Sequence, residues 1–166
     1  MENSRRLIRC LALALLLVGC GPNRPAEPVQ EIAVRKSGPA SLDIVVKRTG
    51  VGSFEQFNPD SQLSPLRNGT FRVSSNDFDK IEARFAEFRK EAVPLTDASL
   101  QEMMDRRCGK GVPYVTHRGS IYVRWDGKGF DQHYLAKLGC DDERTADQKQ
   151  NLGDAFRTLT VLTGLP

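Results

Sequence analysis

Five apolar side chains at spacings of 3, 4, 3 and 4 constrain this chain more than any other feature. Phe78, Ile81, Phe85, Phe88 and Ala92 fall on one stripe of an α-helix, because 3.6 residues per turn bring i, i+3, i+4 and i+7 to the same side. A stripe carrying three phenylalanines needs a sheet or other helices to cover it, so it reads as core and not as a cofactor pocket. Asn76 is placed to cap this helix. Asp77 and Asp79 suit the positive end of its dipole, and Arg89 and Lys90 the negative end. Pro94 prevents continuation.

Two more helices are signalled. A short one is expected after Thr96, with Leu95 and Leu100 as a hydrophobic staple, Leu100, Met103 and Met104 facing inward, and Gly109 ending it. A longer one is expected to start at Thr145, with Gln148 completing a capping box. Leu152, Ala155, Phe156, Leu159 and Leu162 form its apolar face, and Gly164 stops it.

Between the helices the period changes to two. Leu42, Ile44 and Val46 alternate with other positions, as do Ile121, Val123 and Trp125. Gly50 and Gly52 supply a turn into Phe54–Phe57. Asn58-Pro59-Asp60 and Pro65 mark a loop, and Asn68-Gly69 opens a short strand through Phe71 and Val73. Residues 113–117 and 120–125 read as a hairpin around Arg118-Gly119. Asp126–Gly129 turns into a weaker strand over 130–135. Strands joined by glycine turns imply an antiparallel sheet. The expected fold is α+β: a mainly antiparallel sheet of about five to six strands, with two longer helices and one short helix packed on one face.

The N-terminus carries an address. Residues 1–20 place a basic stretch before an uncharged run from Cys10 to Val18, too short to cross a bilayer but the size of a signal-peptide core. Leu17-Val18-Gly19-Cys20 resembles the lipobox of bacterial lipoproteins. That resemblance implies cleavage between Gly19 and Cys20, a diacylglycerol thioether on Cys20, and attachment to a membrane through acyl chains. By the same resemblance, Gly21 in place of Asp implies an outer-membrane lipoprotein facing the periplasm of a Gram-negative host. Ser4-Arg5-Arg6-Leu7-Ile8 also resembles the start of a twin-arginine signal, with Ile8 and Arg9 departing from the pattern. The general secretion route is the other option.

The 166-residue chain then divides into a signal peptide over 1–19, a lipidated Cys and Pro-rich tether over 20–40, and a single α+β domain over 41–166. Pro22, Pro25, Pro28 and Pro39 keep the tether extended, although Ile32-Ala33-Val34 could form a short edge strand. The signal segment holds a net charge of +2 of the chain's formal +3, so the mature chain is nearly neutral. No concentrated basic surface remains for a nucleic acid.

Chemistry-bearing residues are few. Beside Cys20 the mature chain holds Cys108 and Cys140, a lone pair in an exported protein, which reads as a disulfide. A redox pair would favour C-x-x-C, and zinc would need further ligands. His117 and His133 could join Asp131 or Asp141 at a metal, but each reads more simply as a hydrogen-bonded residue, and no metal or other cofactor is expected. Ser120 lacks a nucleophile elbow, Gly109-Lys110-Gly111 lacks the spacing of a phosphate loop, and Asp126-Gly127-Lys128 lacks alternating calcium ligands. Asp141-Asp142-Glu143 complements a helix dipole. No catalytic constellation emerges, and the chain reads as a non-enzyme.

All three tyrosines and the only tryptophan lie between Cys108 and Cys140. If Ile121, Val123 and Trp125 face the core, Tyr122 and Arg124 face outward, as a candidate binding surface for an envelope protein or other envelope component. The bland reading of the same aromatics is strand stabilisation. Arg48-Thr49-Gly50-Val51-Gly52-Ser53-Phe54 resembles the Arg-Ser-Gly-Gly-Phe start of emfourin-type inhibitors of thermolysin-like proteases, with an insertion and several departures. That resemblance implies a tethered inhibitor of an envelope or secreted hydrolase. A small periplasmic enzyme is the third reading.

Wild-type protein should partition into a detergent phase and carry acyl mass on Cys20, whereas Cys20→Ser should be soluble or unprocessed. Intact-mass spectrometry of the mature protein checks this, and an unmodified Cys20 in wild type would reject the assignment.

Overall fold

The strand that organises the sheet comes from the stretch expected as tether. The computed structural model describes residues 27–58, 61–105, 108 and 111–165; Gly19, Cys20 and Gly109 lie outside them. β1 (Val29–Lys36) pairs antiparallel with β2 (Ser41–Lys47) on one side and with β6 (Ser120–Gly127) on the other. Its Val29, Ile32 and Val34 are buried. The tether over 20–40 is therefore corrected across 29–36, and the domain begins there and not at 41. Ile32–Val34 is interior to the sheet, not at its edge. Of the prolines that made the region read as extended linker, Pro28 and Pro39 lie outside the strand, where no ladder hydrogen bond is lost, and Pro22 and Pro25 lie outside the described residues.

β3 (Val51–Asn58) and β4 (Ser61–Arg72) continue the sheet beyond β2, and β7 (Phe130–Lys137) and β5 (Val93–Pro94) continue it beyond β6. The order is β4-β3-β2-β1-β6-β7-β5, with every pairing antiparallel. Seven strands replace the expected five or six; β1 and the two-residue β5 were not anticipated as full members. β4 is also longer than expected, because Pro65 and Asn68-Gly69 lie within a bulged edge strand instead of before it. Three helices complete an α+β fold: α1 (Ser75–Arg89), α2 (Asp97–Asp105) and α3 (Ala146–Thr163).

Register explains the core. Ile32 stands between Val46 and Trp125, and Val34 stands between Ile44 and Val123. Alternation then sends these six side chains, with Ile121, to one face, where all are buried. α1 lays Phe78, Ile81, Phe85 and Phe88 on that face, and α3 adds Leu152, Ala155, Phe156 and Leu159. Each fully buried large apolar side chain contributes about 1.5–3 kcal/mol. At the β2–β3 end, Gly52 and Gly69 leave room for aromatic rings from the neighbouring strand: an added Cβ would run into Phe71 at Gly52 and into Phe54 at Gly69. Gly50, at φ +82°, makes the turn before them. Arg48 locks this hairpin to α1. Its Nε donates to the Val29 carbonyl at 2.6 Å, its Nη1 pairs with Asp79 at 3.0 Å, its Nη2 pairs with Glu82, and its guanidinium lies 4.6 Å from the Phe78 ring centroid.

Several local expectations change. Ser74, not Asn76, caps α1, accepting the Asp77 N–H at 3.1 Å; Lys80 and Ser74 hydrogen-bond the Asp77 carboxylate and hold its pKa below the usual range. Thr145 makes no side-chain cap, since its hydroxyl donates to the Asp142 carbonyl and Gln148 reaches Glu91. The Pro113–His117 hairpin does not form. β1 occupies the side of β6 where it would have paired, and residues 113–115 instead run beside 139–141, with Thr116–Arg118 in a single 3₁₀ turn.

The short helix also lies on the wrong side for the expected arrangement. β7 alternates Gln132 and Tyr134 on the covered face with His133 and Leu135 on the other. α2 bonds to the second set: Ser99 Oγ is 3.0 Å from His133 Nε2, and Lys137 Nζ donates to the Met104 carbonyl at 2.9 Å. Only α1 and α3 cover one face; α2 sits at the margin of the opposite one.

Ile32→Ala should cost about 2–5 kcal/mol, the range for a large core side chain cut to alanine, read by urea denaturation. A chain beginning at Ser41 should fail to give a cooperative transition at all, because it lacks the strand that joins β2 to β6.

Candidate binding face

The sheet face away from α1 and α3 is largely open. Its rows can be read from the register. Asp43, Arg35, Tyr122 and Leu135 lie side by side across β2, β1, β6 and β7, and the next row is Val45, Ala33, Arg124 and His133. Tyr122 and Arg124 thus point outward, on the face opposite Ile121, Val123 and Trp125. Their cross-strand neighbours come from β1 and β7 and not from the 113–117 segment of the expected hairpin.

Both arginines on this face are held by carboxylates on the adjacent strand. Arg124 donates from Nε and Nη2 to Asp131 at 2.8 and 2.6 Å, and Arg35 donates from Nε to Asp43 at 2.8 Å with Nη2 beside it. These bonds raise both arginine pKa values further above the usual range. A two-point grip by a guanidinium on a carboxylate fixes the plane of the group. Among the described residues, no hydrogen bond uses Nη1 of either arginine, so each keeps a pair of oriented donors free. Glu55 and Asp126 add negative charge nearby, which keeps the face electrically mixed and not anion-selective. Tyr122 is half-buried, and burial raises its phenol pKa. Its ring meets His133 edge-on at 5.9 Å.

α2 forms one wall of a trough over this face. A hollow of about 620 Å³ is lined by Arg35, Val45, Leu100, Met104, Tyr122 and Leu135. It continues into a second of about 670 Å³ that shares Ser37, Met104, Ser120 and Leu135 and reaches Tyr114 and His117. Leu100, Met104 and Tyr114 are 40%, 61% and 50% exposed, so three of the exposed large hydrophobics among the described residues gather along it. This corrects the inward placement of Leu100 and Met104; only Met103 of that helix is buried.

The other candidates disperse. Cys108 and Cys140 form a disulfide with Cα atoms 5.4 Å apart, tying the end of the α2 segment to the end of β7. Trp125 is fully buried, and Tyr134 packs on Phe88 at 5.7 Å, so two of the clustered aromatics serve the core. His117 and His133 are not joined by acidic ligands: no group of three or more His, Cys, Asp or Glu suited to a metal occurs among the described residues. Ser120 shares a 2.8 Å hydrogen bond with Ser37 across the β1–β6 end. The residues resembling the emfourin start form the β2–β3 turn, with Arg48 committed to α1. Sequence reasoning missed Arg35 and considered Asp131 only as a metal ligand, not as the partner of Arg124; β1 as a strand was the signal that would have revealed Arg35.

Comparison of the chain with protein-family models, with curated proteins and with solved structures finds no match in any of the three. The geometry of this face therefore carries the functional reading.

Tyr122→Ala and Arg124→Ala should each lower folding stability by less than about 1 kcal/mol, since both are partly exposed and the ion pair is screened by solvent. Reducing the disulfide should cost more, about 3–4 kcal/mol from the chain-entropy relation for a 32-residue separation. Urea titrations of the three samples check the order.

Proposed function

We propose that this is a lipid-anchored cell-envelope protein, tethered through Cys20 to the outer membrane and facing the periplasm, whose domain is a non-catalytic interaction module. The face around Arg35, Tyr122 and Arg124 contacts an envelope protein or other envelope component. The supporting observation is the concentration on one open sheet face of two oriented guanidinium groups, a tyrosine and a trough edged by exposed Leu100, Met104 and Tyr114. Tyrosine and arginine beside apolar walls are the composition of binding hot spots, where a rigid side chain contributes area at small entropic cost.

The mixed charge argues for a partner that both donates and accepts hydrogen bonds. The floor of the trough is a paired sheet interior, so a partner meets side chains and not free strand edges. The Tyr122→Ala/Arg124→Ala double variant tests the reading. It should fold as wild type does and yet retrieve its partner from envelope extract at least about tenfold more weakly, the loss expected from a hot spot worth more than about 1.4 kcal/mol. Retrieval of the same components with unchanged affinity would move the interaction elsewhere on the molecule.

A further inference from the structure

His133 has a role that the binding reading does not use. It is the one fully buried ionisable side chain among the described residues. It also stands at a joint. The segment Val93–Asp105, comprising β5 and α2, is an arm laid along the outer side of β7. Val93 opposes His133 in the β5–β7 register, the Leu95 N–H donates to the Asp131 carbonyl at 2.8 Å, and Ser99 Oγ meets His133 Nε2 at 3.0 Å. Lys137 Nζ also donates to the Met104 carbonyl near the end of the arm, and beyond these contacts the arm buries little. β5 is two exposed residues, and α2 buries only Met103. The end of the arm is retained covalently by Cys108–Cys140.

The second ring nitrogen decides what protonation does here. His133 Nδ1 is buried and has no hydrogen-bond partner. A neutral imidazole tolerates this, because one nitrogen needs no donor role. An imidazolium carries two N–H groups and a charge, and Nδ1–H would then be buried without an acceptor. The groups facing the ring are Tyr122 and Arg124 from β6, Asp131 from its own strand, Ser99 from α2 and Val93 from β5. Asp131 favours the charged form, but its carboxylate is already gripped by Arg124. Burial outweighs it and holds the imidazole below its ordinary pKa of 6.5.

We propose that His133 is an acid-sensitive latch for the β5–α2 arm: protonation leaves a charge and an N–H without an acceptor at the buried Nδ1, and the arm lifts from the sheet to hydrate the ring, giving up the Ser99–His133 joint while Cys108–Cys140 keeps its far end attached. Because Leu100 and Met104 form a wall of the trough, the latch regulates the binding face, and in that respect it rests on the proposed function. The sign follows from the depressed value. Neutral His133 stabilises the closed arm fully above pH about 6.5, and that contribution is lost as pH falls through the lower folded-state value. The opening equilibrium then grows by up to about tenfold per pH unit.

Hydrogen exchange of the full mature protein, disulfide intact, at pH 7.5 and pH 5.0 tests this, after correction for intrinsic exchange rates. Wild type should lose protection over 93–105 at pH 5.0, by up to about thirtyfold, with β1, β2 and β6 unchanged. His133→Gln keeps a donor for Ser99 but does not titrate, so the two pH values should then give equal protection. Equal protection in wild type, or an acid effect that persists in His133→Gln, overturns the latch. If His133→Gln does not fold, the wild-type ring proton titration decides: a midpoint above 6.5 overturns the proposal and one below it supports it. These readouts involve no partner, so failure of the latch and failure of the binding face register separately.

Discussion

The pairing of β1 with β6 holds this molecule together. It joins residues 29–36 to residues 120–127, across most of the domain's length. Without it the sheet divides into β1–β4 on one side and β6, β7 and β5 on the other, with the packed helices left to bridge them. Ile32 and Val34 fill the seam because each has a large apolar neighbour on both sides, Val46 and Trp125 for one, Ile44 and Val123 for the other. Such a non-local contact is also entropically late, since the intervening loop must close before it gains anything. The local hairpin β2–β3 and the Arg48 clamp onto α1 can form first, leaving the N-terminal strand to complete the sheet.

Long periodic elements were legible in the sequence, and their interiors more so than their ends. The Phe78–Phe88 stripe and the Leu152–Leu159 stripe both pack as their spacing requires, because a strong apolar face has only one low-energy placement. The caps were less legible. Ser74, Asn76 and Thr145 are all plausible caps, and tertiary partners such as Glu91 for Gln148 decide between them. β1 was obscured by four flanking prolines and by Arg35 and Lys36 at its end. Pro113–His117 failed for the opposite reason: its pattern allowed a strand, but β6 had no free edge to offer.

The candidate site was half visible. Alternation around Ile121, Val123 and Trp125 is enough to send Tyr122 and Arg124 outward. It says nothing about which strands flank them, so neither Arg35, Asp43 nor Asp131 could be assigned to that surface. The side of the sheet taken by α2 was equally invisible, because a nine-residue helix with one buried side chain carries almost no directional information. The Cys108–Cys140 pair, by contrast, was expected from the cysteine count and the export-signal resemblance, and the structure joins the same two residues.

The early start of β1 shortens the leash. Eight residues lie between Cys20 and Val29, a span that cannot exceed about 30 Å even when drawn out fully. A tether reaching to residue 40 would have allowed more than twice that. Under the proposed anchoring at Cys20, the near side of the domain would stay within about 30 Å of the bilayer surface. Under the same proposal a partner of the open face would meet it within about one tether length and one domain diameter of the bilayer.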